Sequence, residues 1–127
     1  MKRSISRGDI NLVDFGDNYG SEQGGVRPAL IIQNDIGNYH STTTLVVPIS
    51  SKNINRCLPT HVMIDAMELV RGEIKGKAML EQIRVVDKNR IQKNIGRINE
   101  RTFCKVHNAM LIATGYIKSQ QTKQCAN

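Results

Sequence analysis

Residues Gly20–Asp35, GSEQGGVRPALIIQND, join a glycine-rich segment to an unbroken apolar run. The run ALIIQ lacks polar alternation, which predicts a strand buried on both faces. Pro28 restricts Arg27 to extended backbone, so this strand opens on an arginine. Upstream, GDNYGSEQGG (Gly16–Gly25) holds four glycines in ten residues and reads as a long, conformationally permissive loop. Before it, DINLVDF (Asp9–Phe15) alternates around Asn11 and then slips at Val13 and Phe15, predicting a half-buried strand with a bulge. Taken alone, the arrangement is a hairpin-like loop that leaves Arg27 at a strand's mouth, either simply solvated or held there for a ligand.

Further along, NDIGN (Asn34–Asn38) is turn chemistry. TTTLVVPIS (Thr42–Ser50) is β-branched and strand-like, and Pro48 predicts a sheet edge or bulge at that end. A polar loop, SKNINRCLP, leads to a strand at THVMI (Thr60–Ile64). EIKGK reads as a turn before one further strand, AMLEQIRVV (Ala78–Val86). Beyond Asp87 the period changes. Ile98, Phe103, Val106, Met110 and Leu111 fall near helical spacing, with Asn99 as N-cap and Gly115 as stop. Five or six short strands with one or two helices at the end, one of them amphipathic and about four turns long, imply a mostly β chain built as a small, strongly bent sheet or barrel. One domain over residues 1–117 is expected, followed by a polar tail over 118–127 that contains Cys125.

Composition narrows the function classes. Eighteen Lys+Arg against 11 Asp+Glu give a formal charge of +7, which suits a polyanionic partner as well as it suits solubility. Tryptophan is absent. Cys57, Cys104 and Cys125 form no C-x-x-C, and His40, His61 and His107 lack ligand spacing to them, so neither a zinc site nor a disulfide framework is expected. Free thiols fit a reducing compartment. The start, MKRSISRGDI, lacks the apolar core of a signal peptide, and no stretch approaches the roughly 20 apolar residues of a membrane span. These features predict a cytoplasmic protein.

The glycine loop matches neither G-x-x-x-x-G-K-[ST] nor G-x-G-x-x-G, which excludes the common phosphate-binding loops. What it presents is Glu22, Gln23 and Arg27. Arginine keeps its charge, and its planar fork matches a phosphate. Ser50 and Ser51 close the next strand with hydroxyls. If the two strands are antiparallel neighbours, Arg27 and Ser50 meet at one end of the sheet. His61 has the best intrinsic pKa for acid–base work, yet as the opening of a strand it reads first as structural. Phe15 fits equally a base-stacking ring and a core residue.

RGDI, GSEQGGVRPALIIQND, VVPISS, LPTH and LEQIR, in that order over about Arg7–Arg90, closely resemble the MazF/PemK family of toxin endoribonucleases. The resemblance implies an SH3-like small β-barrel of the MazF/PemK/CcdB type, homodimers, and RNA bound along a groove at the dimer interface. It implies cleavage of single-stranded RNA at short motifs, without a metal or other cofactor, to 2′,3′-cyclic phosphate and 5′-hydroxyl ends. The family's catalytic arginine falls on Arg27 and its catalytic hydroxyl residue, usually threonine, on Ser50. Serine keeps the hydroxyl but lacks the methyl that stiffens the threonine rotamer. Ser21, Glu22, Gln23, Asn34, Leu58, Pro59 and Gln82 fall where the family builds its RNA groove, with Phe15 beside them and Ser51 and His61 in minor roles. A cognate MazE-like antitoxin, with an acidic segment that folds across the groove, is the implied partner. One alternative is a catalytically weakened RNA binder, should Ser50 fail to replace the family threonine, and the other is a gyrase-poisoning toxin of the same fold. Its tryptophan-containing C-terminal end has no counterpart in this chain.

Overall fold

The fold is that of a computed structural model, which describes residues 4–17 and 19–118. Eight strands form one curled antiparallel sheet: β1 Asp9–Asp14, β2 Val26–Ile31, β3 Thr43–Ser50, β4 His61–Ile64, β5 Leu69–Gly72, β6 Gly76–Met79, β7 Arg84–Asp87 and β8 Ile91–Ile98. The order across the sheet is β4-β6-β3-β2-β1-β8-β5, with β7 also on β3. Two α-helices, α1 Asp35–His40 and α2 Glu100–Ala113, and three single-turn 3₁₀ helices complete the described chain. The expected polar tail and Cys125 lie outside the described residues, apart from Lys118.

The apolar run that closes β2 behaves as its composition dictates. Leu30 joins a core cluster with Val47, Ile49, Phe103 and Val106, whereas Ala29 and Ile31 join a second cluster with Val13, Phe15, Val46 and Val86. Successive side chains point to opposite faces. Both faces are covered, so no polar alternation appears in ALIIQ. At the C-terminal end, the Asn99 side chain accepts from the Thr102 N–H and starts α2, and Gly115 follows it at φ +81°. Thr102, Phe103, Val106 and Ala109 are the buried side of the helix.

Eight strands form where five or six were expected, and four further expectations change. NDIGN forms a short helix: Asn34 caps it through the Gly37 N–H, an Asx interaction that serves turn and helix alike. AMLEQIRVV is interrupted at Leu80–Gln82 by one 3₁₀ turn, so its halves become β6 and β7. Pro48 lies in a central strand, opposite Ala29 of β2; on the other side, β3 pairs with β7 up to Val46 and with β6 from Ile49. Its missing donor therefore sits where β3 changes partner. Cys104 on α2 is disulfide-bonded, so the reading of three free thiols holds only for exposed Cys57 among the described cysteines.

Candidate active-site groove

Arg27 and Ser50 come together through strand register. β2 and β3 pair antiparallel up to Ala29–Pro48, and Arg27 and Ser50, each two residues beyond that pair, both line the space that follows. The β2–β3 ladder ends at Ala29–Pro48, and beyond it a groove of about 440 Å³ opens. Ser21, Glu22, Gln23, Arg27, Ser50 and Lys77 line it, together with Lys52, Asn53 and the loop glycines. On its other side Ser50 pairs with Lys77 of β6, and both line the groove with Arg27.

The glycine loop is closed by Phe15 N–H to Gly25 O at 2.9 Å and Gly25 N–H to Gly16 O at 2.7 Å. Gly16 and Gly25 both have φ near +75°, at +74° and +76°, the left-handed backbone that glycine adopts freely. Within it, Arg27 Nε donates to Gly24 O at 2.9 Å and Nη1 donates to Gln23 Oε1. Nη2 has no bond among the described residues, and the guanidinium forms no ion pair there. Half its donor fork is thus fixed by its own loop and half is left for a ligand. Ser50 is buried, and its Oγ accepts from Lys52 N–H at 3.2 Å. That contact holds the oxygen in place, a role the absent methyl would otherwise share, and leaves the hydroxyl proton to donate. Arg27, Lys52 and Lys77 face a lining with one carboxylate, Glu22.

The other sequence-derived candidates separate. Leu58 lines a small cavity of about 150 Å³ that shares Asn53 and Lys77 with the groove. Pro59 lines a cleft between β4 and α2. The His61 ring is buried away from the groove; Nδ1 accepts from Leu58 N–H at 3.0 Å, so its proton sits on Nε2, which faces Glu81 Oε2 at 3.0 Å. Burial opposes charge on Glu81, but hydrogen bonds from His61, the backbone and Thr60 outweigh it and hold the carboxyl below its ordinary value. His61 is therefore a strut. Ser51 is exposed outside the groove lining, and Gln82 sits in the 3₁₀ turn before β7. Asn34 caps α1 at the far end of β2, on the order of 20 Å of strand from Arg27. Phe15 is only 2% exposed in the core, with the Arg84 guanidinium 5.2 Å from its ring, so it has no face to offer a base. The loop's exposed aromatic ring is Tyr19, at 84%.

Sequence reasoning passed over Lys52, Lys77 and Arg84. Arg84 Nη1 donates to Gln23 O at 3.5 Å and ties β7 to the loop. Lys77 sat in a segment read as a turn, and its role appears only once β6 is laid beside β3.

Residues 6–113 match the family described as PemK-like, MazF-like toxin of type II toxin–antitoxin system. The chain belongs to this family. The Endoribonuclease EndoA of Bacillus subtilis is 42% identical over 113 residues, covering 89% of this chain and 97% of that one. The Endoribonuclease MazF of Staphylococcus saprophyticus is 39% identical over 111 residues, covering 87% and 92%. Among solved structures, MazF from Deinococcus radiodurans superposes with a TM-score of 0.74 at 21% identity, over 87% of this chain and 96% of that one. A mycobacterial endoribonuclease in complex with its cognate antitoxin gives 0.72 at 23% identity, over 88% and 96%. The PemK/MazF-like fold is thereby established, and β2, β3 and β6 are the part of it that builds the groove.

Proposed function

We propose that this PemK/MazF-like chain, as a single domain over residues 1–117, is a cytoplasmic endoribonuclease that cuts single-stranded RNA without a metal and so stops translation. The observation that carries this reading is the convergence of Arg27 and Ser50, 23 residues apart in sequence, on one cationic groove. Its support is the family membership and the two relatives named as endoribonucleases. In the reaction, the 2′-hydroxyl attacks its own phosphorus in line. The O2′–P bond forms, the P–O5′ bond breaks, the 2′-hydroxyl gives up its proton and the departing 5′-oxygen gains one. Negative charge builds on the non-bridging oxygens. The free side of the Arg27 fork and the Ser50 hydroxyl are donors fixed in advance where that charge grows.

Ser21, Glu22 and Gln23 line the same groove and would meet base edges or sugar beside the cut. Asn34 lies too far along β2 to join this groove within one chain, so it would meet RNA through a homodimer. Leu45 and Val85, opposite each other on β3 and β7 and both exposed, are a face that a second copy would cover. A MazE-like antitoxin with an acidic segment would occupy the groove in competition with RNA.

The test is cleavage of a long unstructured RNA in the presence of a chelator, with wild type beside Arg27→Ala and Ser50→Ala. Discrete fragments with cyclic phosphate ends from wild type alone support the reading. Equal fragmentation by all three proteins, or none by wild type, overturns it.

A further inference from the structure

We infer that Lys77 is a positioning residue of the groove: its buried ammonium clamps the loop that follows Ser50 and thereby holds the catalytic hydroxyl. The inference rests on the reading of Ser50 given above. Lys77 is 7% exposed, an unusual depth for a lysine, and Nζ donates to Asn53 O at 3.1 Å and Arg56 O at 2.8 Å. Both acceptors are neutral carbonyls, and no carboxylate pairs with it among the described residues. A buried ammonium is costly unless hydrogen-bonded, so the loop carbonyls are what let it sit there.

The same residue is the strand partner of Ser50. Backbone and side chain of Lys77 therefore grip the two ends of one short segment, Ser50 to Arg56. Between them lies the Lys52 N–H that holds Ser50 Oγ, and Asn53, whose φ of +50° is the one left-handed non-glycine conformation among the described residues. Conformations of that kind persist when their surroundings over-determine them. The far half of the loop is anchored separately, by Leu58 N–H on His61. Without the ammonium, the two carbonyls turn to water, the Ser50–Lys52 turn loosens, and the hydroxyl loses its fixed direction.

Lys77→Met keeps the apolar stem and removes the donors. On a short RNA oligonucleotide cut once by wild type, kcat should fall at least tenfold with KM changed less than threefold. The salt slope of RNA binding to the cleavage-dead Ser50→Ala background should stay the same with and without the lysine, because a positioning residue releases no counterions. Amide hydrogen exchange across Lys52–Arg56 should speed up in Lys77→Met while α2 exchange is unchanged. An unchanged kcat, unchanged loop exchange, or a salt slope reduced by about one phosphate's worth (~0.7) overturns the inference, the last because it marks a direct phosphate contact. Should Lys77→Met not fold, Lys77→Leu, which also lacks donors, is read in the same way. If wild type cuts no RNA, the reading of Ser50 fails, whereas loop exchange still decides whether Lys77 is the clamp.

Discussion

Arg27→Ala removes a charged donor whose geometry is set by Gln23 and Gly24, and the expected loss in kcat is about 10²–10³-fold, the scale for one preorganised transition-state donor. Arg27→Lys should recover little of it, since an ammonium cannot reproduce the fork. Ser50→Ala should lose a similar amount. Ser50→Thr should stay within a few-fold of wild type, because Oγ is already held by the Lys52 N–H. Single-turnover cleavage of one oligonucleotide measures all four. Gly76 offers a test from the backbone side: a Cβ there would stand 2.7 Å from Ile49 Cγ2 and 2.9 Å from Ser50 O. Gly76→Ala should therefore force β3 and β6 apart, cost about 1–3 kcal/mol in denaturant unfolding, and lower cleavage even where the protein remains folded.

At the scale of elements, the strut at the start of β4 has a pH signature. Thr60 Oγ1 and His61 Nε2 both reach the Glu81 carboxylate, which joins β4 to the turn between β6 and β7. The folded-state pKa of Glu81 is depressed, so its contribution is present above the unfolded glutamate value and is lost as pH falls through the lower folded value. Glu81→Gln should destabilise the protein at neutral pH by about 1 kcal/mol or less, given that the carboxyl is partly exposed, and the gap from wild type should close in acid. Urea unfolding of the two proteins from neutral pH down to pH 3 checks this. β8 illustrates why another element escaped sequence reading. Its polar residues are inside the ladder: Asn94 Nδ2 donates to Asn11 Oδ1 at 3.0 Å and Asn11 Nδ2 to Gln92 O at 3.1 Å, across register shifts in β1–β8. Paired amides and bulges erase the alternation that marks a strand.

For the whole molecule, the +7 charge matters where it is concentrated, in a groove with three cations and one carboxylate. Binding of single-stranded RNA to Ser50→Ala should weaken linearly with log salt, with a slope near −1.4 if Arg27 and Lys52 each neutralise one phosphate (about 0.7 each). Lys52→Ala should flatten it by one such step. Fluorescence anisotropy over a salt series reads both. Much of this molecule is legible in its sequence. The unbroken ALIIQ run specified a strand covered on two faces, Arg27-Pro28 specified extended backbone at its mouth, and Asn99 marked the start of α2, because local sterics, capping and periodicity act over a few residues. The family blocks, being linear, also pointed to Arg27 and Ser50. What the chain could not show in one dimension was which strand ends meet. Arg27, Ser50 and Lys77 meet at one groove only through the β2–β3 and β3–β6 pairings, Phe15 becomes core only through its packing with Val13, Ala29, Val46 and Val86, and the clamp on the 50–56 loop exists only through a lysine 24 residues beyond Asn53. Local propensity is written in neighbouring residues, whereas register, burial and cross-strand hydrogen bonds are settled when distant segments compete for the same core.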